Sequence, residues 1–212
     1  MKATILSNGT VNDVDFLISY IKNTDLFICA DGGARYARVL SVKPDVLLGD
    51  FDSLDEDTLN YFKTIGTKIF RYPVAKDYTD TQLAIDKAIE MGSNEMVLLG
   101  VIGSRLDHTL ANISMLYYLY ERGVKAEIVN ENNRIILLKG KNVLKGKKGG
   151  TISFIPFLGD VKKITLRGFY YNLDEAELPK DISLGISNIF LGEEGYIDTG
   201  DDYILAIYSH DM

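Results

Sequence analysis

The sequence predicts an α/β N-terminal domain, three layers deep around a mostly parallel sheet, followed by an all-β C-terminal sandwich. Two observations carry this. Through the first two-thirds of the 212 residues, strand-like and helix-like stretches alternate, the pattern of a parallel sheet covered by helices on both faces. Beyond about residue 125 the helical periodicity stops, and short strand-like runs recur between glycines and acidic turns. The boundary is expected near 130, giving domains 1–130 and 131–212.

In the first part, strand-like runs lie at 3–6, 26–30, 45–48, 67–72 and 96–102, and helix-like stretches at 12–22, 34–41, 55–65, 80–91 and 107–122. The last helix carries Leu110, Ile113, Leu116, Tyr117 and Tyr120 at a 3.6-residue period, which predicts a buried stripe. Thr79 through Gln82 fits a capping box, with Thr79 as N-cap. In the second part, strands are expected at 126–129, 135–138, 151–157, 161–167, 169–173, 196–198 and 203–208, with a Gly/Lys-rich connection from Lys139 to Gly150.

Composition narrows the function classes. A net charge of −7 argues against nonspecific nucleic-acid binding, which needs an excess of Lys and Arg. No apolar stretch approaches the roughly 18 residues of a membrane span, and the opening residues carry no targeting pattern, so a cytoplasmic protein is expected. The single cysteine, Cys29, sits in the run Leu26 to Ala30 and reads as a small buried hydrophobe. One Cys with His108 and His210 far apart makes no zinc ligand set.

Ligands of parallel α/β sheets bind beyond the carboxyl ends of the strands. Here the strand ends run into Asp31-Gly32-Gly33, Gly49-Asp50-Phe51-Asp52-Ser53, Lys76-Asp77-Tyr78-Thr79-Asp80 and Gly103-Ser104-Arg105-Leu106-Asp107-His108. Four successive ends therefore bring aspartates to one edge, where they would repel one another without a cation. Mg²⁺ is the natural occupant, being an oxygen-liganded ion shared between carboxylates and phosphates. Alternation would turn Asp50 and Asp52 to one side of an extended segment and Phe51 to the other. Asp77 and Asp80 can share a face at a helix start.

Each residue also has a plainer reading. A post-strand Asp can be a cap or turn former; Gly32-Gly33 can be a tight turn or a phosphate approach; Arg105 and Asp107 can be a surface pair or a phosphate clamp. His108 can serve the helix start. The chain has neither a P-loop nor a Gly-x-Gly-x-x-Gly run.

Taken together, Cys29-Ala30-Asp31-Gly32-Gly33-Ala34, Gly49-Asp50-Phe51-Asp52-Ser53, Lys76-Asp77-x-Thr79-Asp80 and Gly103-x-Arg105-Leu106-Asp107-His108 resemble thiamine pyrophosphokinases in order and spacing, over essentially the whole chain. The resemblance implies transfer of the pyrophosphoryl group of ATP to thiamine, with Mg²⁺, by a homodimer whose site lies between the N-terminal domain of one subunit and the C-terminal domain of the other. It implies Asp50, Asp52 and Asp80 as Mg²⁺ ligands with Asp77 close by, the last being the candidate proton acceptor. Asp52, Asp80 and Asp107 would join it in the catalytic set. Asp31, Gly32, Gly33, Lys76, Arg105, Asp107 and His108 fall on the nucleotide side. Tyr171 stands where an aromatic residue is expected to stack on thiamine, and Ser187-Asn188 resembles the family's Ser-Asn segment on the acceptor side. The chain has no Trp, the residue of eukaryotic relatives at about the Tyr171 position; a Tyr face also attracts a cation. A pyrophosphokinase acting on a hydroxymethyl-pterin and a non-catalytic nucleotide- or thiamine-binding regulator are the alternatives.

Overall fold

The computed structural model describes residues 1–75 and 77–210. Its contacts divide the chain into two compact units, Met1–Glu131 and Asn132–Met212.

The first unit holds β1 (Lys2–Leu6), α1 (Val14–Ile21), β2 (Leu26–Ala30), α2 (Ala34–Val39), β3 (Val46–Gly49), α3 (Glu56–Thr64), β4 (Lys68–Arg71), α4 (Asp80–Glu90), β5 (Glu95–Leu99), α5 (Leu106–Tyr120) and β6 (Lys125–Val129). The strands are all parallel, in the order β6-β5-β1-β2-β3-β4. Every residue of β2 and β3 is buried, as expected of a sheet covered on both faces. Alternate strand residues Leu6, Phe27, Cys29, Leu47, Val97 and Leu99 pack with Leu17 and Ile21 of α1, Ala34 and Ala37 of α2, and Leu59 and Phe62 of α3. Helix α4 packs on β1, β2 and β3 through its buried Ala84, Ile85 and Ala88. Helix α5 packs against β6.

The helices are stopped and started by local chemistry. Asp13, Asp55 and Thr79 are the N-caps of α1, α3 and α4, accepting from the Asp15, Thr58 and Gln82 amides at 3.0, 2.8 and 3.2 Å. The Thr79 cap is the one expected from sequence. The stripe of α5 differs from expectation. It buries Asn112, Leu116 and Leu119, whereas Leu110 is 64% exposed and Tyr120 also faces solvent. The Asn112 amide donates to the Val101 carbonyl at 2.7 Å, so a polar residue docks this helix to the loop after β5.

The second unit is all-β: β7 (Asn133–Lys145), β8 (Thr151–Phe157), β9 (Val161–Arg167), β10 (Leu173–Leu178), β11 (Asn188–Ile189) and β12 (Glu194–Ser209). The runs expected at 196–198 and 203–208 are one strand, β12, whose register with β7 shifts between Asp198 and Tyr203. Gly200 (φ 60°) on β12 and Gly140 (φ 68°) on β7 sit at this irregularity, and the Gly140 amide donates to Thr199 Oγ1 at 2.9 Å. Of the expected Gly/Lys connection, residues 139–145 belong to the bent β7, and 146–150 alone connect it to β8. Beyond the bend β12 pairs with β8, before it with β9. The sheet thereby folds around one core, in which Leu138, Phe154, Ile164, Phe169, Leu178, Phe190, Ile197 and Ile204 meet. The strand expected at 169–173 begins instead at Leu173, since Phe169 forms only an isolated bridge with Phe190. Among the described residues no helix is long and apolar enough to cross a membrane.

Candidate functional site

Strand order places β1 between β2 and β5, so the chain's direction of progress across the sheet reverses there. A crevice is expected at the carboxyl ends of these strands. A cavity of about 370 Å³ occupies it, lined by Ser7 to Thr10, Ala30 and Asp31, Thr79 to Thr81, and residues between Gly100 and Asn112. Its floor is polar: the buried Ser7 and Thr81 hydroxyls lie 3.0 Å apart.

The loop after β1 was not among the strand ends singled out from sequence, yet it forms one wall. Its amides continue the strand pairing, Ser7 to Leu99, Gly9 to Gly100 and Thr10 to Ile102. Arg35 Nη2 donates to Asn8 Oδ1 at 2.5 Å and the Tyr36 hydroxyl to the Gly9 carbonyl at 2.7 Å, tying the loop to α2. A Ser-Asn-Gly run after a strand was the available signal.

Gly32 and Gly33 are buried in a 3-10 turn that carries β2 into α2. A Cβ on Gly33 would overlap the Leu6 carbonyl, and one on Gly32 the Asn8 side chain. The space beside them is filled by the β1 end, so their smallness serves this packing. Asp31, ahead of them, adopts φ 46° and is half-buried. The Ser53 hydroxyl donates to its Oδ2, while its buried Oδ1 has no hydrogen-bond partner among the described residues.

Asp50 and Asp52 converge by a route that alternation did not foresee. Phe51 is left-handed (φ 64°), and the Asp52 amide donates to Asp50 Oδ1 at 3.1 Å. The segment is therefore a turn, closed on itself, with Phe51 and Leu54 pinned in the core. A non-glycine residue costs about 1–3 kcal/mol in this backbone region, which the burial of the Phe51 ring offsets. The turn brings Asp50 and Asp52 to Asp31, with one carboxylate oxygen of each within 4.8 Å of the others. The Asp50 carboxylate, as hydrogen-bond partner and then as like charge, raises the Asp52 pKa, and Asp31 and Asp80 add to the effect.

An all-oxygen set with an orphaned buried oxygen fits a hard divalent cation such as Mg²⁺. Asp80 lies outside the trio but lines the cavity from the first turn of α4. Asp77 is exposed and does not line the cavity. Lys76 lies outside the described residues.

On the far wall, Arg105 grips Asp107 in a two-pronged pair, Nη2 to Oδ2 at 2.5 Å and Nε to Oδ1 at 3.2 Å. Both are largely exposed, and the Arg105 hydrogen bond holds the Asp107 pKa below the usual carboxylate range. Arg105 and His108 line the cavity; Asp107 does not. Cys29 is fully buried, and burial pushes its thiol pKa far above the ordinary range, which leaves no nucleophile there.

In the second unit, Tyr171 and Tyr170 are both exposed, their rings edge-to-face with centroids 4.9 Å apart. Neither ring enters the core, which Phe169 occupies instead. Ser187 is left-handed (φ 57°) and donates its amide to Ser153 Oγ at 3.0 Å. Asn188 is buried and its amide group is engaged with backbone.

Comparison with known proteins matches residues 17–128 to the family described as thiamin pyrophosphokinase, catalytic domain, and residues 139–204 to thiamin pyrophosphokinase, vitamin B1 binding domain. Thiamine pyrophosphokinase of Bacillus subtilis (strain 168) is 30% identical over 209 residues, covering 98% of each chain. The crystal structure of thiamine pyrophosphokinase from Bacillus subtilis superposes with a TM-score of 0.91 at 27% identity, over 100% of both chains. That of thiamin pyrophosphokinase from Geobacillus thermodenitrificans gives 0.86 at 26%, covering 100% of this chain and 98% of that one.

Proposed function

Because the chain belongs to the thiamin pyrophosphokinase family, we propose that it transfers the pyrophosphoryl group of ATP to the hydroxyl of thiamine, giving thiamine pyrophosphate and AMP. The observation that carries this reading is the convergence of Asp50 and Asp52, which follow β3, on Asp31, which lines the polar cavity at the ends of β1, β2 and β5. The family matches to both units support the acceptor as well as the nucleotide.

In the proposed step the thiamine hydroxyl oxygen attacks the β-phosphorus of ATP. A new oxygen–phosphorus bond forms, the bond from that phosphorus to the oxygen bridging the α-phosphorus breaks, and AMP leaves with the bridging oxygen. The hydroxyl proton passes to a carboxylate, a role we assign to Asp77. Asp50 and Asp52, with Asp80 and Asp31 alongside, would hold Mg²⁺, which when bound neutralises phosphate charge. Arg105, exchanging Asp107 for a phosphate, would clamp it through two parallel donors. His108, Asp107, Gly32 and Gly33 belong to the nucleotide side in this reading, and Tyr171 with Ser187 and Asn188 to the acceptor side. Catalysis then rests on alignment and electrostatics. Nucleotide binding by 1–130, acceptor binding by 131–212, a homodimer and a cytoplasmic location complete the proposal.

A product assay tests it. Purified protein is given ATP, Mg²⁺ and thiamine, with a pterin alcohol and a no-acceptor control in parallel. Thiamine-dependent AMP and thiamine pyrophosphate in equal amounts are expected. AMP formation with the pterin alone would overturn the acceptor.

A further inference from the structure

The segment 168–171 runs beside 188–191 with too few backbone bonds to make a full strand pair. The Leu191 amide donates to the Gly168 carbonyl at 3.0 Å and the Tyr170 amide to the Ile189 carbonyl at 2.8 Å. At Tyr171 the partner backbone is replaced by a side chain. Asn188 Oδ1 accepts from the Tyr171 amide at 3.0 Å and Asn188 Nδ2 donates to the Tyr171 carbonyl at 2.7 Å. Oδ1 accepts from the Ile189 amide as well, at 2.9 Å. The side-chain amide thus stands in for a peptide group and carries the ladder one residue further. An uncharged side chain that both donates and accepts at this reach is an amide.

Burial makes the substitution rigid. Asn188 is 3% exposed, and next to it Phe169 and Phe190, 0% and 1% exposed, pack at 4.9 Å. Outside this anchor stand two aromatic rings at 63% and 59% exposure, Tyr170 and Tyr171, set at 86° to one another. Two rings at a right angle form a corner with two electron-rich faces, suited to a flat cation. Both backbone polar groups of Tyr171 end on one buried side chain, so that side chain fixes where the corner faces.

We propose that Asn188 is a positioning residue for the acceptor: it holds the Tyr171 backbone so that the Tyr170–Tyr171 corner presents its faces to the cationic acceptor ring, without touching the acceptor itself. The proposal rests on thiamine as acceptor. Ser187, left-handed and bonded to Ser153, delivers Asn188 into place.

The test is a double-mutant cycle with Asn188→Ala, Tyr171→Ala and the pair, measured by steady-state kinetics with thiamine and ATP varied in turn. Asn188→Ala is expected to raise KM for thiamine about tenfold while KM for ATP and kcat stay within about twofold. In the Tyr171→Ala background it is expected to add less than about twofold. An unchanged thiamine KM overturns the proposal, and so does an equal rise in both KM values. Full additivity in the double variant overturns it in favour of direct contact. Should Asn188→Ala fail to fold, Asn188→Asp keeps an oxygen for the Tyr171 and Ile189 amides but turns the donation into repulsion between a carboxylate oxygen and the Tyr171 carbonyl. It is expected to raise thiamine KM selectively, and no rise contradicts the proposal. If the parent chain makes no thiamine-dependent AMP, it is the functional reading that falls. Hydrogen exchange at the Tyr171 amide then reads the clamp by itself, with faster exchange expected in Asn188→Ala and unchanged exchange contradicting it.

Discussion

The Ser53 hydroxyl donates to Asp31 Oδ2 across the ends of β2 and β3, and the other oxygen of Asp31 is left buried without a hydrogen-bond partner among the described residues. That arrangement aims one carboxylate oxygen at Asp50 and Asp52 and holds it there. Groups that orient a ligand-bearing carboxylate commonly matter about tenfold or more in metal affinity. Ser53→Ala is therefore expected to fold normally and to need about tenfold more Mg²⁺ for half-maximal activity. An unchanged Mg²⁺ titration would mean that Ser53 does not orient Asp31.

Asp52 is held ready at a cost in repulsion, since Asp50, Asp31 and Asp80 all raise its pKa. Asp52→Asn removes one charge from the group. Turnover is expected to fall by about a hundredfold or more. Thermal melts in EDTA should show a midpoint no lower than the parent's, and the upward shift that Mg²⁺ gives the parent should shrink. A variant with full turnover at ordinary Mg²⁺ would remove Asp52 from the ligand set.

Thr79 caps α4 one residue before Asp80, accepting from the Gln82 amide at 3.2 Å. Losing such a cap costs about 1 kcal/mol. Thr79→Ala should lose that much in urea unfolding, whereas Thr79→Ser should lose little. Equal losses in both variants would point to the methyl group's packing instead.

Much of this was legible beforehand, for local reasons. The apolar runs of β2 and β3 and the capping signal at Thr79 are written in short windows, and so is the arrival of Asp31, Asp50 and Asp52 at strand ends. What escaped depends on contacts far apart in sequence. The Ser7–Thr10 wall matters because β1 lies beside both β2 and β5, an order that no local pattern encodes. The Asp50–Asp52 turn needs Phe51 left-handed, which the burial of its ring enforces. Leu110 looked like core by periodicity, but Asn112 won the buried face through its bond to Val101. Strand β12 looks like two strands in sequence because the bend at Gly200 interrupts its pattern, while pairing with β7 resumes beyond it with a shifted register.

Asp55, the N-cap of α3, gives a pH dependence of known sign. The Thr58 backbone amide, helped by the Thr58 side chain, lowers its pKa. A depressed folded-state pKa contributes stability that is present above the ordinary carboxylate pKa and is lost as pH falls through the folded value. The difference in melting temperature between the parent and Asp55→Asn should therefore be largest near neutral pH and close in acid. A gap that widens in acid would contradict the assignment.

In the proposed reaction the β- and γ-phosphoryl groups travel together to thiamine. ATP labelled at the β-phosphorus, reacted in the presence of Mg²⁺ and thiamine, shows whether they do. All transferred label should appear in thiamine pyrophosphate beside unlabelled AMP. Label retained in ADP, with thiamine monophosphate as the product, would mean that the γ-phosphoryl group moves alone.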